Sequence, residues 1–151
     1  MLLSNIVFGA VPAMLQRDSN ICREKAPSSK MPLERRSLDV NSVNCHPEWV
    51  PEKLALGDRI PEGIDYLRKT PNGKPALGPG AGNCDRVSCS WNSAIFWCNE
   101  GSETKELDSY GTIADAAQII QEECKLGEGD YILGQVFMKN QWSVVVQKDD
   151  C

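Results

Sequence analysis

Residues 112–124, TIADAAQIIQEEC, contain the strongest helical pattern of the chain. Thr112 and Asp115 fit a capping box in which Asp replaces the usual Glu, so we expect the helix to begin beside Thr112. Cys124 lies on the apolar side of this helix, which favours a disulfide from the helix to a sheet. The apolar residues recur at intervals of three and four and form one stripe: Ile113, Ala116, Ala117, Ile120 and Cys124.

A β-hairpin is predicted upstream of this helix. Apolar residues alternate from Val87 to Trp91 and resume at Ile95 and Trp97, on either side of a polar Asn92-Ser93. This pattern predicts two strands joined by a tight turn. We expect Cys89 and Cys98 to lie near one another in the hairpin, although the sequence leaves its register open.

A second hairpin and a first helix complete the predicted order. Residues 131–138 and 142–147 are rich in β-formers and flank Lys139-Asn140-Gln141, while Pro61 opens a short amphipathic helix that ends before residues 70–73. The order helix, hairpin, helix, hairpin predicts an α+β fold. In it, a small disulfide-stapled antiparallel sheet packs against two helices.

Seven cysteines are the strongest compositional signal, and their odd number leaves one over. Cys22 precedes a dibasic processing site, Arg35-Arg36, and cleavage there would leave six cysteines. A zinc site is disfavoured because the chain has no C-x-x-C spacing and a single histidine, His46. We therefore predict three disulfides, with the connectivity left open, among Cys45, Cys84, Cys89, Cys98, Cys124 and Cys151.

Three regions are predicted along the chain. Residues 1–15 are apolar and end near Val11-Pro12-Ala13, which favours a signal peptide; the alternatives are a truncated gene model or an ordinary apolar segment. Residues 16–44 are polar without periodicity, so we expect a disordered pro-segment or linker. Residues 45–151 form the cysteine-rich α+β domain. Cysteine usage predicts a secreted, extracellular protein.

The charge distribution argues against two classes of partner. From Ser37 onward, ten Lys and Arg stand against eighteen Asp and Glu, a net charge of −8 compared with −5 for the whole chain. An acidic surface does not bind phosphate backbones, so we expect no nucleic-acid partner. It also disfavours stable insertion into anionic membranes. We expect a monomer.

The sequence predicts no catalytic, cofactor-binding or metal-ligating residue. No Gly-x-Ser-x-Gly elbow frames a serine, and the glycine-rich residues 78–83 lack the Gly-Lys-Ser/Thr ending of a phosphate loop. Carboxylates are plentiful in the acidic segments 101–108 and 125–130, which we take as candidate binding loops. Of the three tryptophans on predicted strands, we expect at least two in the core and an exposed one as a contact anchor: Trp91, Trp97 and Trp142.

Several spaced blocks resemble a family. They are residues 83–99 (NCDRVSCSWNSAIFWCN), 110–117 (YGTIADAA), 134–137 (GQVF), 142–146 (WSVVV) and the terminal Cys151. Together with EGIDYLR at residues 62–68 they resemble small cysteine-rich secreted proteins of filamentous fungi, over roughly residues 45–151. Members of that family are often candidate effectors of plant-associated fungi. Cys22 and the weak N-terminal signal depart from the pattern.

The resemblance implies a secreted, effector-like protein that binds a host component outside the cell and is not an enzyme. A more distant architectural analogy to killer-toxin-like α/β sandwiches gives the first alternative, a toxin or antimicrobial protein acting on competing microbes. Further alternatives are a small secreted hydrolase, whose carboxylates would converge in a cleft walled by tryptophan, and a structural wall-associated protein. Fold alone does not choose among them.

Overall fold

The computed structural model describes residues 38–46, 50–128 and 130–151. The predicted signal peptide (1–15), Cys22 and the processing site Arg35-Arg36 lie outside the described residues. So does most of the predicted pro-segment.

A five-stranded sheet forms the centre of the domain. Each strand is antiparallel to its neighbours, and the spatial order is β1-β9-β10-β5-β4. The strands are β1 (Val40–Cys45), β4 (Asn83–Ser90), β5 (Ser93–Asn99), β9 (Gly134–Met138) and β10 (Trp142–Lys148).

Two helices, α1 (Ile60–Lys69) and α2 (Tyr110–Glu123), cover one face of this sheet. The core between the two layers contains Trp97, Val136 and Val144, each at most 1% exposed. All five residues of the predicted stripe on α2 are buried. The prediction of a disulfide-stapled α+β domain with two helices is confirmed.

Short elements surround the main sheet. A single 3-10 turn, Pro51–Lys53, precedes a three-stranded sheet in the order β2-β8-β7, and a separate two-stranded ladder pairs β3 with β6. Residues 71–83 are therefore not all loop as predicted, because residues 76–77 pair with part of the first candidate binding loop. The short strands are β2 (Ala55–Leu56), β3 (Ala76–Leu77), β6 (Lys105–Glu106), β7 (Lys125–Leu126) and β8 (Tyr131–Ile132).

Three disulfides join separate parts of the fold. The first ties edge strand β1 to the end of α2, the second links β4 to β5, and the third holds the C-terminal tail on β4. In the chain-entropy model the two long loops contribute about 4–5 kcal/mol each and the short one about 3 kcal/mol. The pairs are Cys45–Cys124, Cys84–Cys98 and Cys89–Cys151, with sequence separations of 79, 14 and 62.

The first hairpin corrects two predictions. Its turn is Trp91-Asn92, one residue earlier than predicted, and both residues have positive φ (52° and 55°), as a type I′ turn requires. Trp91 is therefore a turn residue and not a strand residue. The resulting register places Cys84 opposite Cys98, whereas Cys89 lies opposite Ala94, so the expected proximity of Cys89 and Cys98 is wrong.

The predicted domain start at Cys45 is also wrong, because Val40–Cys45 already form β1. An edge strand needs little hydrophobic patterning of its own, since its neighbour β9 supplies the pairing. Val40 and Val43 pack against the core from this edge. The ordered domain therefore includes residues that composition assigned to a linker.

The cap of α2 differs from the predicted capping box. The helix begins at Tyr110, and the N-cap is Ser109, whose Oγ accepts a hydrogen bond from the Thr112 backbone N–H at 3.3 Å. Asp115 does not cap the helix. It instead accepts hydrogen bonds from the Arg68 guanidinium of α1, with Nη2 to Oδ1 at 3.0 Å, and so links the two helices.

The cap predicts a contrast between two substitutions. Ser109→Ala removes the side-chain acceptor and should lower the free energy of unfolding by about 0.5–2 kcal/mol. Thr112→Ala keeps that acceptor and should cost less. Urea denaturation measures both, and a larger loss for Thr112→Ala would contradict the assigned cap.

Gly134 predicts a second contrast. A Cβ at this position would lie 2.7 Å from Ile120 Cγ2 and 2.8 Å from Cys124 Sγ, and the disulfide restricts any relaxation. Gly134→Ala should therefore destabilise the domain by about 1–3 kcal/mol. Gly78→Ala is the matched control, because its nearest atom would be 3.8 Å away. Equal midpoints of urea denaturation for the two variants would refute the close approach of α2 to the sheet.

Candidate functional site

The turn of the β4–β5 hairpin presents a large aromatic side chain to solvent. Trp91 is 68% exposed, whereas Trp97 and Trp142 are buried. This agrees with the expectation that at least two of the three tryptophans are in the core. Because the type I′ turn fixes the backbone at Trp91, the indole projects from a defined position.

Arg59 holds this indole from one side. Its guanidinium carbon lies 5.1 Å from the ring centroid of Trp91, within the range of a cation–π interaction. Two carboxylates orient the guanidinium in turn: Glu62 Oε1 lies 3.0 Å from Nη1, and Asp58 Oδ2 lies 3.5 Å from Nε. The exposed tryptophan is thus backed by a small charged network.

Apolar side chains continue the surface across the three-stranded sheet. Leu56 and Leu126 both lie opposite Tyr131 in the register, so the three side chains form one row. Leu56 is 39% and Tyr131 49% exposed. Their partners one position along, Ala55 and Ile132, are buried in the core. The row is therefore the outward face of a small sheet whose inner face is packed.

Backbone contacts place this row beside the hairpin turn. The Leu56 N–H donates to Ser93 Oγ at 2.9 Å, and that hydroxyl donates to the Trp91 carbonyl at 3.3 Å. The Arg59 N–H donates to the Leu56 carbonyl at 3.2 Å. We call this surface the tip patch, defined by Leu56, Arg59, Trp91, Leu126 and Tyr131.

The two candidate binding loops do not lie together. The segment 125–130 begins with β7 and precedes β8 at the tip patch, whereas 101–108 follows β5 at its other end. Since β5 has seven residues, the two loops are separated by about 20 Å. Both segments were predicted as binding loops because both are acidic. Only the strand order shows that they lie at opposite ends of β5.

Three carboxylates nevertheless line one cavity of about 250 Å³ beside Trp142. Asp39 lies 3.9 Å from Lys139 Nζ, and Glu106 lies 3.4 Å from Lys74 Nζ, so two of the three are paired with lysines. The third is Asp108. Trp142 is only 2% exposed and offers little ring surface to a sugar. The arrangement matches the predicted hydrolase cleft only in part.

The structure also locates the cysteines and the histidine that were considered for catalysis or metal binding. All six cysteines after residue 37 are in disulfides, so none of them is a thiol nucleophile. His46 follows β1, where its backbone N–H donates to the Leu133 carbonyl. Within the described part of the chain, no group of three or more His, Cys, Asp or Glu is placed to hold a metal ion. No helix over residues 38–46, 50–128 and 130–151 is long and apolar enough to cross a bilayer.

Comparison with known proteins gives no relative. No protein-family model matches the chain, and neither a curated protein nor a solved structure matches it. The three disulfides fit an extracellular or secreted protein.

Proposed function

We propose that this chain is a secreted, effector-like protein that binds a host component outside the cell through the tip patch. The observation that carries the proposal is Trp91, a tryptophan held in a tight turn, stacked on Arg59 and two-thirds exposed. Tryptophan, tyrosine and arginine are the residues that most often dominate binding energy at protein interfaces. The tip patch contains one of each.

Preorganisation supports binding as the mode of action. The C-terminal tail runs beside the hairpin turn: the Asp149 N–H donates to the Asn92 carbonyl, and the Cys151 N–H donates to Asn92 Oδ1. The disulfide from Cys89 then fixes the tail on β4. A turn restrained in this way loses little conformational entropy when a partner binds, so more of the contact energy appears as affinity.

Charge indicates the chemistry of the partner. Four exposed acidic residues border the tip patch, Asp58, Glu62, Glu128 and Asp130, and outnumber the exposed Lys125 beside Leu126; the positive charge of Arg59 is already paired with two of them. A partner with an apolar centre and a basic rim complements this surface. We therefore propose a cationic protein surface of the host as the target, with the protein acting as a monomer.

Two other functions follow from specific features. A killer-toxin-like protein would use the same patch on a competing microbe, and the net charge of −8 after residue 36 argues against lysis of anionic membranes. A hydrolase would use the cavity lined by Asp39, Glu106 and Asp108. The hydrolase ranks behind recognition, because lysines pair with two of its three carboxylates and Trp142 is buried. The toxin ranks second because it rests only on the more distant architectural analogy, and the experiment below distinguishes its target cell from plant tissue.

Binding to plant tissue tests the proposal. The oxidised protein is incubated with leaf tissue, and the bound fraction is measured by immunoblot after washing. Trp91→Ala should weaken binding by roughly thirty-fold, the effect of losing a hot spot of about 2 kcal/mol. Tyr66→Ala is the matched control, because Tyr66 is 61% exposed on α1 outside the patch. A second pair compares charge reversals: Glu128→Lys, beside the patch, should weaken binding more than Glu103→Lys at the far end of β5.

Variants must keep the circular dichroism spectrum of the parent protein. Equal binding by Trp91→Ala and the parent would contradict the proposal. Binding to microbial cells and not to plant tissue, lost in Trp91→Ala, would favour the toxin. Hydrolysis of a polysaccharide, ester or peptide that Asp108→Asn abolishes would favour the hydrolase.

A further inference from the structure

The main sheet has a second face that the helices do not cover, and it carries a groove of about 610 Å³. Phe96, Phe137 and Val145 line this groove and are all half-buried. They alternate along their strands with the buried core residues, so their side chains point away from the helices. The volume is that of a typical small-molecule pocket. We call this site the sheet-face groove.

The groove extends both along and across the strands. Glu100 and Gln147 line it at positions about 20 Å apart along the strands, because Gln147 pairs with Ala94, six residues before Glu100. Lys53 of the 3-10 turn, the preceding Val50 and the Cys84–Cys98 disulfide also line the groove.

The polar groups at the groove differ in whether they already have hydrogen-bond or ion-pair partners. Ser143 is fully buried, and its Oγ accepts a hydrogen bond from Gln135 Nε2 at 3.1 Å and donates to Glu100 Oε1 at 2.6 Å. The carboxylate of Glu100 is therefore already engaged. Lys53 is exposed, and its ammonium makes no ion pair or hydrogen bond with any described residue.

We propose that the sheet-face groove binds a single-chain amphiphile with an anionic head, of the long-chain carboxylate class. The hydrocarbon chain lies across β5, β10 and β9 over Phe96, Val145 and Phe137, where it buries apolar surface that the described residues leave partly exposed. The carboxylate pairs with Lys53, the only charge of the groove without a partner among the described residues. A groove with an apolar floor and one positive charge at its border suits a hydrocarbon chain with one anionic end.

This site is distinct from the tip patch and does not depend on the function proposed for it. The patch lies on β2, β7, β8, the β4–β5 turn and the N-cap of α1, whereas the groove lies mainly on the faces of β5, β9 and β10 that point away from the helices. No residue belongs to both. Failure of ligand binding in the groove would therefore leave recognition through Trp91 intact.

Titration of the full-length oxidised protein with hexadecanoate, measured by displacement of a fluorescent fatty acid, tests the proposal. We expect saturable binding of one chain per protein. Lys53→Gln should weaken hexadecanoate binding about 2- to 5-fold, the effect of losing one exposed ion pair, and should leave hexadecanol binding unchanged. Lys139→Gln is the matched control, since Lys139 is equally a surface lysine but lies outside the groove. Phe96→Ser should weaken both ligands.

Nuclear magnetic resonance of the parent protein gives a second test that needs no variant. Hexadecanoate should shift the backbone amide signals of β5, β9 and β10. Absence of binding would overturn the proposal, as would equal hexadecanoate affinity in Lys53→Gln and the parent. Two other results would also overturn it. One is sedimentation with anionic phospholipid vesicles without uptake of free hexadecanoate. The other is dimerisation that Phe96→Ser abolishes without fatty-acid binding, which would assign the face to a second copy of the chain.

Discussion

The contact between α2 and β9 sets the spacing of the two layers. At this point Gly134 presents no side chain, so Ile120 and the Cys124 sulfur approach the strand more closely than any Cβ would allow. The Cys45–Cys124 disulfide then ties the end of the same helix to β1, which pairs with β9. Helix, strand and crosslink therefore meet at one position. Without that approach, the core around Trp97, Val136 and Val144 would be left incompletely packed.

The sheet-face groove exists because the two described helices cover one side of the sheet, whereas the tip patch exists because a hairpin turn extends past the end of that sheet. A two-helix layer buries one face, and the other face keeps half-buried Phe96, Phe137 and Val145 along a groove. At the end of the sheet, the turn between β4 and β5 projects Trp91 beyond the core. A domain this small has a limited core, and the disulfides contribute much of its stability. Because not every apolar side chain is needed in the core, some can remain at the surface for binding.

The sequence predicted the elements that depend on local pattern. The α2 stripe, the order of helices and hairpins, and the disulfide-stapled α+β fold are confirmed, because period and composition determine them. Features that depend on pairing were missed. Val40–Cys45 looked like linker because an edge strand takes its order from β9, and the turn at Trp91-Asn92 needs positive φ at a tryptophan, which no propensity indicates. The tip patch combines residues from four segments that only the strand register brings together.

In the proposed function, the disulfides hold the tip patch in its binding shape and do not merely keep the chain folded. The paired substitution Cys89→Ser with Cys151→Ser tests it most directly, because this disulfide fixes the tail beside the hairpin turn and the other two disulfides remain. The measurement is the affinity of this variant for plant tissue, alongside its circular dichroism spectrum. We predict a spectrum like that of the parent and an affinity lowered severalfold, since the turn must then be ordered on binding. Unchanged affinity with the disulfide removed would show that this disulfide does not hold the tip patch in its binding shape.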